Sequence, residues 1–300
     1  MYHARMKIAL PFLVLALLTV VNAKAQVVSV QLTSEQDQYL PGESMPVTVR
    51  IINNSGQTLH LGESPNWLTF IVDSKDNDSV VVQKGNPPVQ GGFDVGSSQM
   101  AIKHMDLAPY FMLRKAGRYT ISAKVHISEW GTDSTSQPKE IDVIDGAEIW
   151  SQQFGMPMPA GVTNRPPEVR KYTLEEANYL RNQLRMYVLV SDASGSDVLR
   201  VNAIGPMVSF SQPEAQLDRE SFLHVVYQSS ARSFIYSVIS PDGEITQQEI
   251  YDYVNTRPHL ALDTNGDIVE AGGEPRVRQV DIPIVRAPDE LPQMPAQPKQ

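Results

Sequence analysis

The stretch of the sequence that most suggests chemistry is DTNGDIVEAGGE, which spans residues 263–274. With Asp263 as position 1, side-chain oxygens fall at positions 1, 3, 5 and 12, supplied by Asp263, Asn265, Asp267 and Glu274. Carboxylate and amide oxygens at this spacing are the ligands of a twelve-residue calcium loop. That loop also needs glycine at position 6, where this sequence has the β-branched Ile268. The stretch is therefore an incomplete match to a calcium site.

The same residues fit the turn of a β-hairpin. Asp and Asn followed by Gly favour tight turns, because their short side chains bond the nearby backbone and tolerate left-handed backbone angles. The flanking segments RPHLAL and PRVRQV are typical of strands, whereas a calcium loop of this type is flanked by helices. We predict a hairpin turn here, with no metal or other cofactor, and keep calcium binding as the alternative.

No local motif for catalysis is found in the sequence. It lacks the G-x-S-x-G turn of α/β-hydrolases, the paired histidines of zinc proteases and the glycine patterns of nucleotide-binding loops. It also has no cysteine, which excludes a thiolate nucleophile. We therefore assign no catalytic residue and predict a non-enzymatic protein. The alternative is a glycan hydrolase, since its two carboxylates can be distant in sequence and leave no local motif.

Tyrosine and arginine are concentrated between residues 227 and 257, on segments predicted to be adjacent strands. Both residue types are enriched in binding hot spots, because they combine flat contact area with polar groups. Cross-strand aromatic pairs that only stabilise a sheet are the alternative. The candidate binding residues are Tyr227, Arg232, Tyr236, Tyr251, Tyr253 and Arg257.

The first 25 residues have the features of a signal peptide. Basic residues precede an apolar run from Ile8 to Val21, and Ala23 and Ala25 form an A-x-A cleavage site. The run is shorter than the roughly 18–20 residues that a membrane helix needs. We predict cleavage after Ala25, export of residues 26–300 to the periplasm or the medium, and no membrane span after cleavage.

The exported chain is predicted to be acidic and free of thiols. The full chain has a formal charge of −9, and the leader contains basic residues but no acidic ones. Such a surface repels phosphate backbones, which argues against nucleic acid as a partner. Without disulfides, the fold must depend on a hydrophobic core. The expected partner is a protein or a glycan of the bacterial envelope, and an oligomer remains open.

Proline-rich stretches divide the chain. MPMPAGVTNRPP, residues 156–167, cannot continue a helix or a central strand, because proline lacks an amide donor. APDELPQMPAQPKQ, residues 287–300, lacks the apolar residues needed for a core. We predict a signal peptide at 1–25, a first domain at 26–145, a linker at 146–167, a second domain at 168–286 and a disordered tail at 287–300.

The first domain has the alternating pattern of half-buried strands, broken by turn residues, and this predicts a sandwich of two antiparallel sheets. Within AGRYTISA, Gly117, Tyr119 and Ile121 resemble the G-x-Y-x-C run of immunoglobulin-like domains, with isoleucine in place of cysteine. This resemblance implies an Ig-like β-sandwich in which Tyr119 forms a corner of the backbone. It also makes Trp67 the candidate for the core tryptophan.

The second domain is also predicted to be β structure, with one ambiguous segment. Residues 173–184 fit a short helix that begins with a capping box at Thr173 to Glu176, and the alternative is a strand from Val169 to Leu174 followed by a loop. Turns that begin near Asp192, Asp218, Asp242 and Asp263 are separated by about two strands, so the four aspartates should lie along one edge.

The hairpins VLVSDASG, SVISPDGEI and LALDTNGDIV resemble the repeats of β-propellers. The resemblance implies a propeller-like antiparallel β-meander, although the domain is too short for the four to eight blades of a closed propeller. The predicted fold class is all-β, an Ig-like sandwich followed by this meander. The predicted function is an exported binding or structural protein. An inhibitor or chaperone role for an exposed edge strand of the first domain is a further alternative.

Overall fold

The computed structural model describes residues 27–76, 81–89, 91–157, 168–179 and 183–276. Within these ranges the chain forms β-strands and turns and no helix, so the fold class is all-β as predicted. None of the described segments is a helix that could cross a membrane. The predicted signal peptide and disordered tail lie outside the described residues, as do residues 277–286 at the end of the predicted second domain.

The N-terminal half contains ten strands in two main sheets. The strands are β1 Val28–Ser34, β2 Gln38–Tyr39, β3 Pro46–Asn53, β4 Leu59–Leu61, β5 Leu68–Ser74, β6 Phe93–Val95, β7 Gln99–Asp106, β8 Gly117–Ile127, β9 Thr132–Thr135 and β10 Lys139–Val143. One sheet has the order β1-β3-β7 and the other β2-β10-β8-β5, with β9 also paired to β8. A small third sheet pairs β4 with β6. The pairings are antiparallel except for β2 with β10, which run parallel.

The two main sheets of this half enclose one hydrophobic core. Alternate residues of β3 and β8 point inward, and Val49, Ile51 and Ile121 are fully buried. Trp67 immediately precedes β5 and lies in the same core, where its ring meets that of Phe93 edge to face. The Tyr119 hydroxyl donates to the backbone carbonyl of Lys115, four residues upstream. Period-two alternation of apolar residues thus produces the core directly.

The C-terminal half contains eleven strands. They are β11 Ala147–Gly155, β12 Val169–Tyr179, β13 Gln183–Asp192, β14 Val198–Met207, β15 Glu214–Leu217, β16 Leu223–Gln228, β17 Ser233–Ile239, β18 Ile245–Asp252, β19 His259–Leu262, β20 Ile268–Ala271 and β21 Glu274–Pro275. The inner sheet has the order β11-β12-β13-β14. The middle sheet has the order β15-β16-β17-β18-β21, and β19 pairs with β20 in a separate hairpin.

The strands correct the predicted linker at residues 146–167 and decide between the two interpretations of the segment around residues 173–184. Residues 147–155 were predicted to belong to a linker, but they form β11 and pair along β12. The prolines begin only after this segment, so nothing in it prevents strand pairing. Residues 173–176 form part of β12 and not a capped helix, because Tyr172 and Leu174 must both face the core.

The inner and middle sheets are open antiparallel meanders that pack face to face. Their shared core contains Tyr172 and Val188 from the inner sheet, and Val225, Tyr227 and Ile239 from the middle sheet. The opposite face of the middle sheet is covered in part by the β19–β20 hairpin. A second cluster of buried hydrophobic residues forms on this face of the middle sheet. The middle sheet is consequently buried on both faces, and every residue of β17 is buried.

The two halves meet through a small apolar cluster that contains Leu40 from the first half and Ala177, Tyr187 and Val201 from the second. Beside it the buried carboxylate of Glu43 accepts hydrogen bonds from the Leu40 amide and from the Gln36 side chain, each at 2.8 Å. Burial raises the pKa of Glu43, while these bonds act in the opposite direction. The contact joins the first sandwich to the inner sheet, on the side away from the β19–β20 hairpin.

Candidate functional site

The candidate calcium loop forms the turn of the β19–β20 hairpin. Asp263 Oδ1 accepts hydrogen bonds from the amides of Asn265 at 2.8 Å and Asp267 at 2.9 Å, and these bonds lower the pKa of Asp263. Gly266 has a φ of +80°, as the tight turn requires. Glu274 lies in β21 opposite Asp252, in the middle sheet. The carboxylate of Asp263 therefore stabilises its own turn, which is the role predicted for the hairpin.

The four aspartate turns lie at one edge of the C-terminal half. Arg170 is opposite Asp192 in the inner sheet, and its guanidinium donates to Asp242 of the middle sheet at 2.8 Å. The Arg219 side chain, next to Asp218, approaches Gly266 in the turn that Asp263 begins. These contacts join the ends of the inner sheet, the middle sheet and the hairpin.

The predicted tyrosine and arginine set does not form one site. Tyr227, a candidate binding residue, is 1% exposed, and its hydroxyl donates to the Ile204 carbonyl in the core between the sheets, so its side chain does not face the solvent. Tyr236 and Tyr251 are on the other face of the middle sheet. The reason is the register: Tyr227 pairs with Ile235, and the next residue of β17 faces the opposite way.

The remaining three residues of that set lie at the far end of the middle sheet. Arg232 donates two hydrogen bonds to the carbonyl of Tyr253, which is itself exposed. The Arg257 guanidinium lies 5.3 Å from the centre of the Phe234 ring, within the range of a cation–π contact. Both arginines are thus engaged with neighbouring strands and loops of the same sheet.

A cavity of about 470 Å³ lies between the outer face of the middle sheet and the β19–β20 hairpin, and we call it the outer cavity. Its volume is within the usual range of about 300–1,000 Å³ for ligand sites. Polar groups that line it include Asp218, His224, Tyr236, Tyr251 and Glu270. Apolar walls come from Phe222, Val238 and Ile268. Two of the six predicted binding residues, Tyr236 and Tyr251, are therefore brought together here.

One side of the outer cavity is formed by a chain of polar contacts. His224 Nδ1 lies 2.7 Å from the Tyr236 hydroxyl, and His224 Nε2 lies 3.3 Å from Asp218 Oδ2. Asp218 is held in its turn by the amides of Glu220 and Phe222. Burial raises the pKa of Tyr236 to about 12, with further contributions from nearby carboxylates. The phenol therefore stays protonated and can donate or accept a hydrogen bond.

The other side of the outer cavity is formed by Glu270 and its neighbours. Glu270 Oε1 is buried and accepts no hydrogen bond of good geometry from the described residues, although the Tyr251 hydroxyl is near enough to lower the pKa of Glu270. Burial raises the pKa of Glu270 to about 7; His259 and Tyr251 act against this rise, and Glu249 adds to it. The Tyr251 hydroxyl donates to Glu249 Oε2 at 2.6 Å. A buried acceptor without a partner is costly to leave unsatisfied, so this oxygen is suited to a ligand donor.

The sequence did not indicate His224, Glu249 or Glu270 as site residues. The three residues lie on three different strands, β16, β18 and β20. The β19–β20 hairpin brings Glu270 close to residues of the middle sheet that are distant from it in the sequence. The one usable signal was the polar residues on β18, ITQQEIYD, beside strands rich in apolar residues. No group of three or more metal-ligating residues is placed to hold an ion within the described ranges.

A larger cavity of about 640 Å³ lies between the two halves. Two of its cationic groups already have partners, because Arg114 pairs with Asp197 and Arg200 with Glu244. These pairs are exposed, and such pairs contribute little to stability. The outer cavity differs in having a buried polar atom without a partner, which makes it the better candidate site.

Glu270 makes the stability of the protein depend on pH. Because its pKa is higher in the folded chain than the usual 4.5 of an unfolded chain, the folded state binds more protons between about pH 5 and pH 7. Stability should therefore fall as pH rises through this window. Glu270→Gln should flatten the decline, measured as urea unfolding midpoints from pH 5 to pH 8. The matched control is the exposed Glu274→Gln; equal slopes for the wild type and Glu270→Gln would refute a desolvated Glu270.

Comparisons with known proteins give little further information about this site. No protein-family model and no curated protein sequence matches the chain. Among solved structures, the chain is similar to Spo0M, a sporulation control protein from Bacillus subtilis, at 13% identity. The match covers 71% of this chain and 79% of that one, with a TM-score of 0.30. A likeness at this score carries no argument about function, so the outer cavity is interpreted from its own geometry.

Proposed function

We propose that the protein is an exported, non-enzymatic binding protein of the bacterial envelope, and that the outer cavity is its recognition site. The observation that carries the proposal is the buried, unpartnered Oε1 of Glu270 in a cavity of ligand size. Binding sites are usually apolar concavities with a few convergent polar groups. Phe222, Val238 and Ile268 supply the apolar walls, while His224 and the tyrosine hydroxyls supply the polar groups.

The sequence supports the export part of this proposal. The leader with its Ala25 cleavage site and the absence of cysteine are consistent with a periplasmic or secreted protein whose core needs no disulfides. The resemblances to Ig-like domains and propeller repeats support a binding role only generally, because such folds serve many functions.

The proposal is tested by capture of partners from an envelope extract. Gln247 lines the outer cavity and is exposed, so Gln247→Trp should fill the mouth of the cavity without disturbing the core. We expect the mature wild-type protein and Tyr253→Ala to retain the same partner, and Gln247→Trp to lose it. Tyr253 is the matched control, since it is exposed at the other end of the sheet. Retention by Gln247→Trp would show that the cavity is not the recognition site.

A glycan hydrolase is the second candidate, and the environment of Glu270 favours it. A carboxylic acid with a pKa near 7 is what general acid catalysis at neutral pH requires, and Glu249 supplies a neighbouring carboxylate. The binding proposal predicts no release of reducing ends when the mature protein is incubated with envelope glycans. Turnover that disappears in Glu270→Gln would replace the binding proposal with this one.

A further inference from the structure

We propose that the outer cavity binds the side chain of a lysine on a protein partner. The inference rests on the proposed binding function and adds the chemical class of the ligand. It follows from three features of the cavity: its charge, its apolar walls and the acceptors that converge at Glu270. Each feature favours a long apolar stem that ends in an ammonium group.

The charge of the outer cavity favours a cation. Asp218, Glu220 and Glu270 line it, and Glu249 lies next to Tyr251, which is also in the lining. No lysine or arginine is among the described lining residues; His224 approaches Asp218, but no ion pair within the described ranges involves Glu220 or Glu270. A desolvated carboxylate gains most from a cation that forms a charge-assisted hydrogen bond with it. The negative charge of the whole chain would also attract a basic partner.

The walls of the cavity fit the methylene stem of lysine. Phe222, Val238 and Ile268 line it, and the last two are almost fully buried. A lysine side chain buries its four methylene groups against such surface while its ammonium contacts polar groups. The tyrosine rings beside the carboxylates add a weaker attraction for a cation.

The acceptors around Glu270 match the three donors of an ammonium group. Glu270 Oε1 accepts no hydrogen bond of good geometry from the described residues, because the neighbouring Tyr251 hydroxyl donates its proton to Glu249, and that hydroxyl still has lone pairs to accept with. Lysine ends in a compact charge, whereas arginine needs a planar bidentate partner. The groups around Glu270 are also not arranged as a metal site.

The first test is a titration of the full mature protein, followed by amide resonances, with N-acetyl-lysine methylamide as the probe. We expect saturable shifts that centre on β17, β18 and β20, and binding at least about tenfold weaker in Glu270→Gln, as expected for loss of a charge-assisted hydrogen bond. The Nε-acetylated probe has the same stem without the charge and should cause no shifts. The lysine assignment would be overturned by any of three results: equal shifts from the neutral probe, stronger binding of the arginine analogue or of glucosamine, or no binding of the lysine probe.

The second test applies the same contrast to the natural partner. Acetylation of the lysines in the envelope extract should abolish capture by the mature protein, whereas reductive dimethylation, which retains the positive charge, should preserve it. If Gln247→Trp loses the partner but acetylation has no effect, the outer cavity remains the recognition site and the lysine assignment fails. If Gln247→Trp keeps the partner, the proposed function fails as well.

Discussion

Replacement of Trp67 by alanine is expected to lower the free energy of unfolding by about 3–5 kcal/mol, the usual cost of removing a buried aromatic side chain. Trp67 is 1% exposed, its ring meets Phe93 at a centroid distance of 5.3 Å, and its indole nitrogen donates to the carbonyl of Val89. The substitution leaves a cavity in the core of the first sandwich and deprives that carbonyl of its donor. Guanidinium unfolding followed by far-ultraviolet circular dichroism would measure the loss.

The matched control for Trp67→Ala is Ile71→Ala. Ile71 lies four residues further along the chain on β5, but its side chain is 44% exposed on the outer face of the sheet. Its truncation should cost less than about 1 kcal/mol, because little apolar surface is removed from the core. Similar losses for the two variants would contradict the assignment of Trp67 to the core.

Tyr227→Ala is expected to destabilise the C-terminal half by about 3–5 kcal/mol, because it opens a cavity between the inner and middle sheets. Tyr227→Phe should cost much less, about 0.5–1.5 kcal/mol, which is the net contribution of an ordinary hydrogen bond. The Ile204 carbonyl that accepts from Tyr227 also accepts from the Gln248 side chain at 2.8 Å, so it would keep a donor. Urea unfolding midpoints of the two variants would measure the difference.

Tyr253→Ala provides the control for Tyr227→Ala, since both tyrosines belong to the set predicted to bind a ligand. Tyr253 is 44% exposed, and its side chain can be removed with a loss below about 0.5 kcal/mol. A small loss for Tyr227→Ala, comparable to that of Tyr253→Ala, would mean that Tyr227 is not part of the core.

Period-two alternation and turn chemistry were sufficient to predict the all-β fold class. From Val47 to Ile51 in β3 and from Tyr119 to Ile127 in β8, every second residue is apolar, and those residues are the ones buried between the two main sheets. The Asp263 turn could be predicted because Asp-Thr-Asn-Gly specifies its own local hydrogen bonds. These features depend on interactions between residues close in the sequence, which explains why they were accessible without a structure.

The same alternation could not predict which residues of the middle sheet point towards the inner sheet and which point towards the hairpin. Strand β17, SFIYSVI, is buried on both faces, so its sequence does not show which side meets the inner sheet and which meets the hairpin. The choice of Tyr227 as a candidate binding residue follows from this ambiguity. The outer cavity could not be predicted for a related reason: Glu270 reaches Tyr251 only because the β19–β20 hairpin folds back over the sheet.

The predicted linker was placed too early in the sequence, because it included residues that come before the proline-rich stretch. Residues 147–155 contain isoleucine, tryptophan and phenylalanine and no proline, and they are able to pair with β12 along its length. The contact between the halves at Leu40 was equally inaccessible, because an isolated leucine beside a proline and a glycine gives no indication of its partner.

The pairing of β11 with β12 changes what a protease would do to the molecule. The Met156 amide donates to the Glu168 carbonyl at 2.8 Å, so the chain leaves and re-enters the inner sheet at one point. A single cleavage between these residues would yield two polypeptides on a denaturing gel that still migrate as one particle under native conditions. The upstream fragment would contribute β11 to the sheet of the downstream fragment, so the two pieces would be expected to reassemble when mixed.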